Sequence, residues 1–264
     1  MVPRRDPYDR GVVIAIDVGN SAVKVARVIR GEVGEVTRLP TASGPDREVL
    51  GRLLAIDDAR LAMVSVVPAW SSAIEEVAAL RPGRPMLLAT HRTIGIPVRV
   101  AEPELVGADR LLGAWTARVV VGAPCIVVDV GTATTIDVVD ADGAFVGGAI
   151  LPGPSLGMRA LARGTALLPP VPLEPPASAI GRDTVEAIAA GVVLGHHEAI
   201  GGLVGRMTDE LGGDRRPMVV LTGGDAGVLG SPGWVDRFEP DLLLRGLGAL
   251  AEPADADRRV GTGA

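Results

Sequence analysis

The feature that most constrains this chain is an internal repeat. Residues 12–18 (VVIAIDV) and 125–130 (CIVVDV) are short apolar runs rich in β-branched residues, and each carries an aspartate just before a glycine-bearing turn. Asp17 and Asp129 hold the same place in the two copies, 112 residues apart. That separation is the length of a typical domain, which argues for two structurally similar halves over a chance pair of motifs. Gly19-Asn20-Ser21 leads into the part-alternating stretch 22–29 (AVKVARVI), and Gly131-Thr132-Ala133 leads into 134–140 (TTIDVVD). Arg30-Gly31 and Ala141-Asp142-Gly143 then turn the chain into Val33 to Leu39 and into FVGGAIL. The pattern predicts three consecutive strands in each half, not strand, helix, strand.

Elsewhere helical and strand-like patches alternate. Residues 46–55, 70–80 and 107–121 read as helices, 61–67 as a strand ended by Pro68, 168–176 (LPPVPLEPP) as a Pro-rich loop, about 183–211 as a long helix, and 218–222 as a strand before a short final helix. The expected fold class is α/β, with two duplicated domains that each hold a mixed sheet of about five strands flanked by helices. The expected halves are 1–116 and 117–252, bridged by the 107–121 helix and followed by a polar tail at 253–264 that frays.

Composition narrows the partners. Hydrophobic residues make up 47% of the chain and aromatic residues 2%, so the core is built from Val, Leu, Ile and Ala. A net charge of −6 offers no surplus of cations for a phosphate backbone, and so few rings leave little for bases to stack on, so no nucleic-acid partner is expected. The single cysteine, Cys125, lies in an apolar run and reads as a small core residue. The leader 1–10 (MVPRRDPYDR) is charged, with no signal-like apolar stretch, and no apolar run is expected to approach the ~20 residues of a membrane helix. The expectation is a cytoplasmic protein with no membrane partner.

A carboxylate at the end of a buried strand, followed by a glycine turn, has the makings of a phosphate site. Glycine lets the backbone approach a phosphate and present its N–H groups, and a neighbouring Asn, Ser or Thr adds donors. The carboxylate places negative charge where a cation or its hydration shell can sit. A single Asp-x-Gly-Asn is more often an ordinary hairpin turn, but two in equivalent places favour a polyphosphate gripped from both sides of a cleft. No P-loop and no strand-linked Gly-x-Gly-x-x-Gly is present. His91, His196 and His197 stand apart from the sole cysteine, so zinc spacing is absent, and His196 and His197 read as helix-surface or interface residues.

With these residues in hand, the chain resembles the type III pantothenate kinases of the acetate and sugar kinase/actin superfamily. The resemblance runs almost end to end. It rests on Asp17-Val18-Gly19-Asn20-Ser21, Ser65-Val66-Val67-Pro68, Gly107-Ala108-Asp109-Arg110, Asp129-Val130-Gly131-Thr132-Ala133-Thr134-Thr135, Gly147 to Gly153, Ile180 to Thr184 and Thr222-Gly223-Gly224. It implies two ribonuclease-H-like (actin-like ATPase) halves and transfer of the γ-phosphate of ATP to pantothenate, the first step towards coenzyme A. By the same resemblance Asp109 is the general base, and Arg110 anchors the substrate carboxylate through its planar fork. Gly107 and Ala108 add backbone contacts and Thr184 a further pantothenate contact. Asp17, Val18, Gly19, Asn20, Ser21, Ala22, Val23 and Lys24 form the ATP phosphate segment, with Asp17 positioning a hydrated Mg²⁺ and Thr132 a second ATP contact. Asp129 is implied as the ligand of a monovalent cation, K⁺ or NH₄⁺. The family is usually a homodimer with the helices after Thr184 across the two-fold, and small residues from Ala187 to Gly205 suit close helix approach.

The chain departs from the family where a tyrosine commonly lines the pantothenate pocket, seven residues before Gly107. Val100 stands there, and the only tyrosine is Tyr8. Ser21 replaces the more usual threonine and keeps the hydroxyl. Val100 leaves open a kinase of another small hydroxy acid or amide, and a non-catalytic nucleotide-binding relative is the third reading. Retention of Asp17, Asp109, Arg110 and Asp129 together favours catalysis, because a pure binding module has no chemical need of a base.

Overall fold

A computed structural model of the chain describes residues 11–55, 59–80, 86–230 and 232–252. The charged leader with Tyr8 and the tail at 253–264 lie outside the described residues. The chain forms two compact units, Met1–Ala89 with Leu244–Ala264, and Thr90–Leu243.

The first unit is built on one five-stranded mixed sheet. Its strands are β1 (Val12–Val18), β2 (Ala22–Ile29), β3 (Glu32–Pro40), β4 (Arg60–Ser65) and β5 (Met86–Leu88), in the order β3-β2-β1-β4-β5. The three opening strands run antiparallel to one another, while β1–β4 and β4–β5 are parallel. Central β1 is buried on both faces, which is why its sequence is a continuous apolar run and not an alternating one. On one face Ile14, Ile16 and Met63 pack against Leu50 and Leu54 of α1 (Arg47–Leu54) and Trp70 and Ile74 of α2 (Pro68–Ala79). Each such fully buried side chain contributes ~2 kcal/mol of transfer free energy. Asp46 caps α1 by accepting from the backbone N–H groups of Glu48 and Val49, and Pro68, which cannot extend a strand, opens α2.

The second unit repeats the plan. After the single turn α3 (His91–Ile94) and helix α4 (Ala108–Val121) come β6 (Cys125–Val130), β7 (Ala133–Val139), β8 (Phe145–Pro152), α5 (Pro154–Gly164), α6 (Thr184–Ala189), α7 (Gly195–Leu211), β9 (Met218–Thr222) and β10 (Arg237–Phe238). The sheet order is β10-β9-β6-β7-β8, with antiparallel β6–β7 and β7–β8 and parallel β6–β9 and β9–β10. Strand for strand this is the order of the first sheet, so the repeat read in the sequence is a repeat of topology. Ile126, Val128, Ile136 and Leu221 form one core face with Ile200 and Val204 of α7. Cys125 is fully buried, and burial pushes its thiol pKa up to about 12. The final helix α8 (Leu242–Ala251) returns to the first unit, where Gly248 lies so close to Val28 that a methyl group would stand 2.8 Å from its Cβ.

The expected fold class, duplicated ribonuclease-H-like halves with mixed five-stranded sheets, is thus the observed one. Helix α4, which the sequence reading cut at residue 116, lies whole in the second unit. The expected long helix runs from Thr184 to Leu211, with a π-helical segment at Ala190–Leu194 joining α6 to α7. By length and mean hydropathy, 1.4 over its most apolar window, it is the one helix among the described residues that could cross a membrane. It escapes a search for unbroken apolar runs because His196, His197 and Glu198 interrupt it.

Candidate active site

In the first unit the turn after β1 is held from two sides. Gly19 N–H donates to the carbonyl of Ala22 at 3.0 Å, closing the turn, and the Thr41 hydroxyl and N–H donate to the carbonyls of Gly19 and Ser21 at 2.7 and 3.1 Å. Trp70 Nε1–H donates in turn to the Thr41 carbonyl at 3.0 Å. Asn20 and Ser21 are exposed at the tip, while Asp17 beneath them is 7% exposed. Lys24 faces Asp17 in the β1–β2 register, with Nζ 3.4 Å from Oδ2. Thr41 and Trp70 are not legible as site residues, since nothing in their spacing marks them as supports of a turn about 20 and 50 residues upstream.

The second unit holds its own turn by equivalent bonds. Gly131 N–H donates to Ala133 at 3.1 Å, Gly153 N–H to Thr132 at 3.0 Å, and Asp225 N–H to Val130 at 2.9 Å. In the first unit Val66 N–H makes the last of these contacts, to Val18 at 3.1 Å. The close approach needs glycine: a methyl group on Gly153 would stand 2.8 Å from the Thr132 carbonyl oxygen and closer still to that of Gly131. Gly223, at φ +106, passes Asp129 so closely that a methyl group there would stand 2.5 Å from Oδ1. The Asp129 carboxylate therefore lies against the Gly223 backbone. No group of three or more His, Cys, Asp or Glu capable of holding a metal is found among the described residues.

His196 departs from its surface reading. Its Nε2 lies 2.8 Å from Oγ1 of the fully buried Thr134 in β7, so the ring faces the sheet. Burial lowers its pKa, opposed by the charge of Asp225.

The third cluster surrounds the start of α4. Gly107 precedes the helix as its N-cap residue, and a side chain there would collide with Oδ1 of Asp109. That oxygen accepts from the N–H of Arg110 at 2.9 Å. Arg110 reaches the neighbouring strand, where its Nε and Nη2 lie 2.8 and 2.6 Å from Oδ1 of Asp137. The Phe145 ring lies 5.5 Å from the guanidinium carbon. Asp137 is 2% exposed and its other oxygen accepts from the Thr135 hydroxyl at 3.1 Å. Burial pushes its pKa up to about 6, against the pull of Arg110 and Thr135, with Asp109 adding a further rise. Val100 is half-buried beside Gly147 of β8, its Cγ1 3.8 Å from where a methyl group would project. Asp137 is the functional candidate that the sequence reading missed: it stands in the quoted run TTIDVVD, but inside a strand, where alternation marks a residue's face and not its partner.

Thr184 opens α6, exposed, one residue after the N-cap Asp183, whose Oδ1 accepts from Glu186 N–H at 2.8 Å. Its helix packs through Ile188 in a cluster with Met158 of α5.

Comparison with known proteins adds a family. Residues 13–206 match the family model described as "Type III pantothenate kinase". The chain is 38% identical over 255 residues to the type III pantothenate kinase of Thermomicrobium roseum, covering 91% of this chain and 97% of that protein. It is 43% identical over 164 residues to that of Phenylobacterium zucineum, a match that spans 62% of this chain and 63% of that protein. Among solved structures, the conserved putative Baf family transcriptional activator from Campylobacter jejuni shares the fold, at a TM-score of 0.60 and 18% identity, over 90% of this chain and 96% of that one.

Proposed function

The chain belongs to the type III pantothenate kinase family, and on that footing we propose that it phosphorylates pantothenate from ATP with Asp109 as general base and Arg110 as carboxylate anchor. A pantothenate kinase is a transferase, and its product enters coenzyme A biosynthesis. The observation that carries the residue assignment is the start of α4. There Gly107 leaves room for the Asp109 carboxylate, and the adjacent Arg110 is held by Asp137 with part of its guanidinium still open.

In this reading Asp109 takes the proton of the primary hydroxyl as that oxygen attacks the γ-phosphorus, and ADP leaves. Arg110 fixes the far end of the acceptor, so that the hydroxyl arrives beside Asp109 instead of diffusing. Gly19, Asn20, Ser21 and Lys24 of the first turn are read as contacts of the ATP phosphates, and Thr132 is read as an ATP contact. The nucleotide's Mg²⁺ supplies charge neutralisation for the transferred phosphoryl group, and Asp17 suits its hydration shell. Asp129, whose carboxylate lies at the close approach of the Gly223 backbone, is read as the ligand of K⁺ or NH₄⁺.

The same reading takes the protein to be a cytoplasmic homodimer without nucleic-acid or membrane partners. The helix from Thr184 to Leu211 supports a dimer: only 33% of its most apolar window is buried within the chain, and Leu167 and Ile180 nearby in sequence are 92% and 80% exposed.

The deciding experiment is the steady-state release of ADP with Mg-ATP, potassium and pantothenate, beside Asp109→Asn and a sodium-only control. The rate should depend on pantothenate, fall by about 10²–10⁴-fold in the variant and drop in sodium. A variant as fast as the parent removes Asp109 from the mechanism.

A further inference from the structure

Arg110 has more hydrogen-bonding capacity than Asp137 uses. A guanidinium carries five N–H groups in a fixed plane, and it can bind one carboxylate along its Nε/Nη2 edge and a second across its Nη1/Nη2 end. Asp137 Oδ1 occupies the first edge. Among the described residues it is the one acid within ion-pair distance of Arg110, so the end-on fork is left for something else. The exposures agree: the Arg110 side chain keeps 18% of its surface and that of Asp137 keeps 3%. Asp137 therefore touches Arg110 and Thr135 but does not reach solvent.

We propose that Asp137 is a positioning residue for the acceptor: it grips Arg110 side-on from within the sheet, so that the end-on fork is aimed at the carboxylate of pantothenate. The inference rests on the reading of Arg110 as the carboxylate anchor. The three supports of the guanidinium come from three directions, Asp137 along its edge, the Phe145 ring near its face and α4 at its root. Such a buried pair adds little to stability, because removing Asp137 from water offsets most of its attraction to Arg110. What the pair does supply is orientation, and a bidentate contact loses strength steeply when its fork is turned.

The arrangement also sets a pH dependence. The ionisable groups facing Asp137 are Arg110 and Asp109, both on α4; on its own strand it meets the Thr135 hydroxyl, and its register neighbours Val127 and Gly148 carry no charge. Asp137 is raised to about 6, so its negative charge and its hold on Arg110 are present above that pH and are lost as pH falls through it. The substrate carboxylate, with an ordinary pKa of ~4, stays ionised over that range.

The test compares the full-length wild type with Asp137→Asn, Arg110→Gln and the double variant, using pantothenate and pantothenyl alcohol, which lacks the carboxylate. Asp137→Asn should raise the KM for pantothenate about 10–100-fold while kcat and the KM for ATP change less than about threefold. The penalty should vanish with pantothenyl alcohol, the double variant should be no worse than Arg110→Gln alone, and wild-type KM for pantothenate should rise as pH falls through about 6. An unchanged KM in Asp137→Asn beside a raised one in Arg110→Gln overturns the inference and leaves the anchor standing. Additive losses in the double variant overturn it too, because Asp137 would then act independently of Arg110. A normal KM in Arg110→Gln removes the anchor itself. If Asp137→Asn does not fold, Thr135→Val, which keeps the carboxylate but frees its second oxygen, decides. It should raise the same KM by about threefold for pantothenate and not for the alcohol, and no selective rise counts against the proposal.

Discussion

Lys24 stands directly across the β1–β2 register from Asp17, its Nζ 3.4 Å from Oδ2, with side-chain exposures of 19% and 10%. The pair puts a cation and an anion at the root of the turn proposed to bind phosphate, where each would limit the other's effect on an incoming polyphosphate. Lys24→Met should therefore raise the KM for ATP about tenfold with little effect on that for pantothenate, and Asp17→Asn should lower kcat about 10²-fold. Initial rates over a matrix of both substrates separate the two effects. A Lys24→Met enzyme with an unchanged KM for ATP would take Lys24 out of the phosphate segment.

The second turn depends on backbone proximity. Gly153→Ala would push a methyl group to 2.8 Å from the Thr132 carbonyl oxygen and harder still against Gly131. We expect a loss of about 2–4 kcal/mol of unfolding free energy in urea melts, because the neighbouring Gly131 and Thr132 atoms are backbone and cannot swing aside. Loss of ATP turnover should accompany it. An alanine variant of full stability would mean that β8 and the turn are less tightly apposed than described.

Val100 can be converted to the tyrosine that the family resemblance implies at its position. It lies half-buried beside Gly147, so a larger side chain has an open neighbour and not a filled one. Val100→Tyr should lower the KM for pantothenate about fivefold, the worth of one hydrogen bond of ~1 kcal/mol, and leave the KM for ATP alone. A rise in KM, with another hydroxy acid preferred by the parent, would instead show a pocket shaped around valine.

The sequence by itself determined the duplication. Two apolar strands that carry Asp17 and Asp129 next to their ends, each followed by glycine and a meander, are a local signal: a continuous apolar run, turn chemistry and strand length are all set within ten residues. The start of α4 was equally legible, because Gly107-Ala108-Asp109-Arg110 is a contiguous motif. The long helix was legible in extent, but not in its π-helical segment or in the inward turn of His196 towards Thr134, which comes from 62 residues away. Only the tertiary structure decided what Arg110 touches. Asp137 lies 27 residues further along, on a strand whose pattern records which side is buried but not which charge waits there. The same holds for Thr41 and Trp70 beneath the first turn. Strand, turn and helix choices are local free-energy differences that neighbouring residues settle. Pairings between charges and carbonyls far apart in sequence are settled by how sheets and helices pack, and composition and spacing carry no record of that.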